Sequence, residues 1–148
     1  MEKQQTTRWF LGANSAEGFR SLYEDFCRGE GDFLRIIKGG PGCGKSSFMR
    51  HIGEAAEKKG LEVEYILCSG DPGSLDALIL PQRGVALVDG TAPHVVEPKY
   101  PGVVEQYINL GKCYDHNGME GLRTAIISCM RGYKGHYQRA YRCLDAAG

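Results

Sequence analysis

The chain has 148 residues and balances 18 Lys and Arg against 18 Asp and Glu, so it carries no net formal charge. That is one domain's worth of sequence, with no global field to draw it to nucleic acid or to an anionic membrane. No apolar run approaches bilayer length and the polar start Met1-Glu2-Lys3-Gln4-Gln5 is no signal peptide, so a cytoplasmic, non-membrane protein is expected.

Arg8-Trp9-Phe10-Leu11 reads as a short strand or extended lead-in. Asn14 with Glu17 three residues on has the form of a capping box, and Phe19, Leu22, Tyr23 and Phe26 follow at helical spacing. Together they predict a first helix over 15–28, ending near Gly29. Phe33-Leu34-Arg35-Ile36-Ile37 predicts a short buried strand, and an amphipathic helix follows from Ser47 to about Lys59, stopped by Gly60. Leu61, Val63, Tyr65 and Leu67 alternate and predict a second strand over 62–68. Pro72 and Gly73 open a loop, and Leu75–Leu80 reads as one or two helical turns before Pro81.

Val85-Ala86-Leu87-Val88-Asp89 predicts a third strand, four apolar residues ended by an acid. The irregular segment Gly90–Gly102 precedes a predicted helix over 103–109. A long periodic stretch then runs from about Glu120 to Ala147, with Leu122, Ile126, Met130, Tyr133, Tyr137, Tyr141 and Leu144 on one face. Gly132 and Gly135 weaken that helix by about 1 kcal/mol each relative to Ala. Strands alternating with helices imply an α/β fold, a P-loop NTPase-type parallel sheet flanked by helices, with residues 1–148 as one nucleotide-binding domain. Three strands and a lead-in make a thin sheet, and the chain stops inside or just after a helix, so a truncated piece of a longer protein is expected.

Between the first buried strand and its helix, Gly39-Gly40-Pro41-Gly42-Cys43-Gly44-Lys45-Ser46 fits the phosphate-binding pattern G-x-x-x-x-G-K-[ST]. Glycines at 39, 40, 42 and 44 let the backbone curl into a concave nest of inward N–H groups. The helix that begins at Gly44 and Lys45 and runs on through Ser47 points its unpaired N–H groups at the same anion. Lys45 supplies a point charge for the β- and γ-phosphates, and Ser46 a hydroxyl where Mg²⁺ would bridge them. Cys43 reads as a small loop filler that would become oxidation-sensitive if exposed. The six cysteines are widely spread without metal-site spacing and read as reduced thiols.

Asp89 reads as the metal-side acid at the carboxyl end of a strand beside the loop, the plainer alternative being a strand-terminating Asp-Gly turn. No second acid follows it, which argues against a fast motor-type ATPase. In Cys68-Ser69-Gly70-Asp71-Pro72-Gly73-Ser74-Leu75-Asp76, Asp71 or Asp76 reads either as a base or water-positioning group, or as turn and cap chemistry. His94 is a candidate for the γ-phosphate or a second substrate. The basic and tyrosine residues between Tyr133 and Arg142 read as a helix with a tyrosine core stripe and a basic outer face rather than a nucleic-acid surface. Asn109-x-x-Lys112 lacks the arrangement that reads guanine, leaving ATP by elimination.

With these residues in hand, the chain resembles the N-terminal half of a poorly characterised bacterial family of ATPase-like proteins with two tandem P-loop halves. The resemblance rests on Arg8-Trp9-Phe10-Leu11-Gly12-Ala13, Ile37–Ser46, Cys68–Asp76 and Val88-Asp89-Gly90-Thr91-Ala92-Pro93-His94-Val95-Val96-Glu97-Pro98. It implies ATP binding through Lys45 and Ser46 with Asp89 on the metal side, and a C-terminal half that is missing here; the thin sheet and the apolar face of the last helix separately lead us to expect self-association or an exposed apolar patch. Three readings follow: an Mg-ATP-binding domain with slow or partner-stimulated hydrolysis through Lys45, Asp89 and Asp76; a small-molecule kinase; or a nucleotide-gated interaction module. A kinase would bring Arg83, Arg123 or Arg131 over the phosphates.

Overall fold

Ile36 and Ile37, both without solvent exposure, bury the strand before the glycine turn on both of its faces. The computed structural model describes residues 6–23, 31–93 and 95–148. Its elements are β1 (Thr6–Trp9), β2 (Gly12–Ser15), β3 (Gly18–Ser21), β4 (Phe33–Lys38), α1 (Lys45–Glu57), β5 (Val63–Leu67), β6 (Leu75–Leu80), β7 (Val85–Asp89), β8 (Glu105–Asn109), α2 (His116–Gly121) and α3 (Arg123–Ala147). Short 3₁₀ turns lie at Pro81–Arg83 and Leu110–Cys113.

The main sheet has six strands in the order β1-β5-β6-β7-β4-β8, and β2 and β3 form a separate hairpin. The fold is α/β, but the sheet is mixed rather than parallel. β1 runs parallel to β5, and β7, β4 and β8 run parallel to one another, while β6 is antiparallel to both of its neighbours. Chain length explains the reversal. The connections at 68–74 and 81–84 are far shorter than the dozen or so residues a parallel crossover needs, so each closes a hairpin.

Three expected helices are corrected. Leu75–Leu80 is strand β6, buried on both faces over most of its length, and a short apolar run of that kind has no period to distinguish it from a helix. The expected helix over 103–109 is instead edge strand β8, in register with β4 from Leu34↔Glu105 to Lys38↔Asn109. Gly102, at φ 80°, turns the chain into it, and the buried Glu105 carboxylate accepts Tyr100 N–H at 2.8 Å. The expected helix over 15–28 is absent from its described part. There the chain makes the β2–β3 hairpin, closed at Ser15↔Gly18, with Gly18 at φ 98° and Ser15 Oγ donating to Gly18 O at 2.8 Å. The left-handed glycine after a short polar turn prevails over the capping-box pattern. Residues 24–28 and Gly29 lie outside the described residues.

Two apolar layers sandwich the sheet. On one face, Met49 and Ala56 of α1, with Phe48 and Ile52, pack on Ile37, Val63, Tyr65, Leu78 and Leu87. On the other, Phe19 and Tyr23 of the hairpin region and Val96 cover Leu34, Ile36, Ile66, Ala77, Ala86 and Val88. α3 lies outermost, meeting β2, where Tyr141 donates to Asn14 Oδ1 at 3.1 Å. Its Leu122-to-Leu144 face stays largely exposed, with Leu122 60% and Tyr133 52% accessible. Among the described residues, no helix is long and apolar enough to cross a membrane.

Gly53 sets how closely α1 approaches the sheet. A Cβ there would lie 2.5–2.8 Å from the ring and hydroxyl of buried Tyr65. Gly53→Ala would gain about 1 kcal/mol of helix propensity. Overpacking against a fixed ring costs about 1–3 kcal/mol, so the urea midpoint is expected to fall. A rise would show that α1 can back away freely.

Candidate functional site

Ile37 of β4 is in register with Asp89 of β7, so the glycine turn and Asp89 leave adjacent parallel strands at the same carboxyl edge. Within the turn, Gly42 and Gly44 have φ of 75° and 89°, conformations that only glycine adopts cheaply. Gly44 is the N-cap of α1 without a side-chain cap, so the first turn of the helix presents uncapped N–H groups.

Lys45 turns back over its own loop. Its ammonium donates to the carbonyl oxygens of Gly39 at 2.9 Å and Gly40 at 3.0 Å, and pairs with Asp89 Oδ2 at 3.4 Å. Both side chains are mostly shielded, 10% exposed for Lys45 and 14% for Asp89. Asp89 Oδ1 accepts the Thr91 N–H at 2.9 Å and the Thr91 hydroxyl. One carboxylate oxygen thus fixes the turn out of β7 at Thr91 while the other faces the lysine.

The structure brings Lys45 and Asp89 together and ties Ser46 to the neighbouring loop. Ser46 Oγ accepts Leu75 N–H at 2.9 Å, and Arg50 donates to Gly73 O at 2.8 Å, so the 68–74 connection is laced to the start of α1. Pro41, Gly42, Gly44 and Ser47 lie exposed, and Cys43 is half-buried. Ser46 and Asp89 carry hard oxygen atoms, the kind of donor Mg²⁺ takes.

Asp71 and Asp76 differ sharply. Asp71 is a turn residue: its carboxylate accepts Ser74 Oγ at 2.6 Å and Gly73 N–H at 3.3 Å. Asp76 is only 3% exposed and accepts the Tyr23 hydroxyl at 2.7 Å. The β5–β6 register shifts there, Ile66 pairing with Ala77 but Leu67 with Leu75, so Asp76 is the extra residue of a bulge that re-aims its side chain. Burial, then the Asp76 carboxylate, pushes the Tyr23 phenol far above its ordinary range and keeps it a donor. His94 lies outside the described residues. Arg83 precedes β7 and so sits at the opposite end of that strand from Asp89; Arg123 and Arg131 are exposed on α3.

Two residues of this edge escape sequence reasoning. Lys38, last in β4, donates to Gly90 O at 2.7 Å, Val96 O at 3.2 Å and Glu97 Oε1 at 2.9 Å, tying Gly90, Val96 and Glu97 to the strand. The Tyr107 hydroxyl, and then Lys38, hold Glu97 below the usual carboxylate range. Gly90 is required beneath, because a Cβ there would lie 2.3 Å from Ile36 Cγ2. Tyr114, after β8, accepts the Gly40 N–H at its hydroxyl. Lys38's place beside the loop was a usable signal; nothing in the spacing marks Tyr114. Asn109 is a cap, accepting Gly111 N–H at 2.9 Å. No protein-family model, curated protein or solved structure matches the chain.

Proposed function

We propose that this chain binds Mg-ATP at residues 39–47 and hydrolyses it slowly or in response to a partner. The observation that carries the reading is Lys45, held by the Gly39 and Gly40 carbonyls beside Asp89, over a glycine turn that opens directly into α1. A triphosphate oxygen would take the place of the Gly40 carbonyl at Lys45, an anionic partner for a neutral one and a stronger kind of hydrogen bond for an ammonium, while the Gly39 carbonyl keeps its hold. The loop N–H groups, the helix N-terminus and Lys45 then stabilise charge on the transferring phosphoryl group. Mg²⁺ held by Ser46 and Asp89 would neutralise phosphate oxygens.

Hydrolysis without a partner is slow in this reading, because Asp71 is committed to its turn and Asp76 is sealed under Tyr23. The same facts weaken the kinase alternative, which needs one of these acids in contact with an acceptor hydroxyl. The exposed apolar face of α3 is where we place contact with a second half or a second copy, in keeping with the tandem-half resemblance. We place this chemistry in the cytoplasm, where ATP and reduced thiols coexist.

Calorimetric titration with ATP, ADP and AMP, with and without Mg²⁺, tests the reading alongside a phosphate-release assay. Binding should require the β-phosphate and strengthen with Mg²⁺, and turnover should stay well below ~1 s⁻¹, the low end of ordinary enzyme rates. Equal affinity for AMP and ATP, or no nucleotide binding at all, would remove the proposal.

A further inference from the structure

Gly39-Gly40 is the most permissive dipeptide the phosphate turn contains, and a Cβ at either position would crowd the tip of a neighbouring side chain. A Cβ at 39 would lie 2.5 Å from Cys43 Sγ, and one at 40 would lie 2.7 Å from the Tyr114 hydroxyl. Neither residue has a Cβ to restrict rotation, so the orientation of the peptide unit between them must come from outside. That peptide is planar, and in a trans unit its C=O and N–H point in opposite directions. The Gly39 carbonyl meets the Lys45 ammonium at 2.9 Å, while the Gly40 N–H donates to the Tyr114 hydroxyl on the other side.

We infer that Tyr114 is the positioning residue of the phosphate turn, fixing the Gly39–Gly40 peptide so that its carbonyl holds Lys45 in place for the β- and γ-phosphates. The inference rests on the proposed nucleotide site and adds to it a residue from beyond β8 that touches no phosphate. Several contacts fix the tyrosine itself. The 3₁₀ turn Leu110–Cys113 is capped by Asn109, and Tyr114 N–H closes on Gly111 O at 3.3 Å. Asp115 caps α2 through Gly118 N–H at 3.1 Å, and the His116 ring meets the Tyr114 ring edge-on at 6.3 Å. Burial, together with the neighbouring Cys43 thiol, raises the phenol above its ordinary range against the opposing pull of the Gly40 N–H, so it is neutral near pH 7.

A bond between Tyr114 and the turn also makes the β8 edge of the sheet a partner in nucleotide affinity. Anything that shifts the segment after β8 changes the orientation of the peptide under Lys45. The turn and this segment are distant in sequence but adjacent in space, because β8 pairs with β4 residue for residue up to Lys38↔Asn109.

The test is Tyr114→Phe, which keeps the ring and removes only the hydroxyl. Mg-ATP affinity should fall about three- to twentyfold, the range set by losing one hydrogen bond from a group that must stay oriented. If Tyr114 acts through Lys45, the same substitution in a Lys45→Ala background should change affinity less than about twofold, the non-additivity expected of coupled residues. NMR of the unliganded protein gives a second readout: the Gly40 amide and Lys45 side-chain resonances should move, while the Arg50 side chain stays. Equal losses in both backgrounds, no loss in either, or unmoved Lys45 resonances would overturn the inference. Should the unaltered protein bind no nucleotide, the proposed function falls, and the positioning role is then decided by the resonances alone.

Discussion

Replacing Lys45 with alanine is expected to weaken Mg-ATP binding about tenfold or more, a loss of about 1.4 kcal/mol at least. Lys45 is the only side chain of the 39–47 turn that can bring a full positive charge to the phosphates. In the unliganded protein that charge has three oxygen partners, Gly39 O, Gly40 O and Asp89 Oδ2, so the substitution also frees a shielded carboxylate. Repulsion between Asp89 and an incoming triphosphate then adds to the lost attraction, and the effect should exceed that of removing a lone surface lysine. Metal-free ATP should suffer most, since no cation remains between Asp89 and the phosphates. Calorimetry on the folded variant, with and without Mg²⁺, measures both terms. Unchanged affinity in both conditions would remove the phosphate-turn reading, whatever the fold.

The strand, glycine turn and helix around Lys45 were legible because each part has a local cause. An apolar run sets β4, glycines permit the positive φ of the turn, and Met49, Ile52 and Ala56 recur at helical spacing to bury one side of α1. β7 was legible for the same reason, and its register with β4 puts Asp89 beside the start of the glycine turn. The rest depended on contacts between distant segments. Nothing local tells Leu75–Leu80 that it lies between β5 and β7; only the shortness of the connections on either side forces the reversal, and with it a mixed sheet. Asp76 reads in sequence as a candidate base, but a one-residue bulge turns it under Tyr23, a residue 53 positions earlier. Over residues 15–23 the left-handed Gly18 closes a hairpin and overrides the helical spacing of the apolar residues. Phe19 and Tyr23 do reach the core, but from a hairpin and its exit. Tyr114 has no sequence signature because its role exists only once β8 has paired with β4.

Asp89→Asn separates the metal from the nucleotide. Asparagine keeps an oxygen able to accept the Thr91 N–H, so the turn out of β7 and the Lys38-anchored segment behind it should hold their positions. What disappears is the negative charge, which affects Lys45 and Mg²⁺ in opposite ways. Without the carboxylate opposite it, Lys45 is freer to meet phosphate, and the repulsion between Asp89 and the triphosphate is gone, so binding of metal-free ATP should stay level or strengthen. Mg²⁺, a hard cation that draws its affinity from carboxylate and phosphate oxygens, loses its one charged protein ligand among the proposed donors and keeps only the Ser46 hydroxyl. The enhancement of ATP affinity by Mg²⁺ should therefore shrink by most of its value, and the phosphate-release rate should fall with it. Paired isotherms in Mg²⁺ and in chelator, on the unaltered protein and the variant, resolve the two effects. If Mg²⁺ strengthens binding equally in both, the Asp89 carboxylate is a turn residue paired with Lys45 and nothing more. The metal would then have to be held by Ser46 and the phosphates alone.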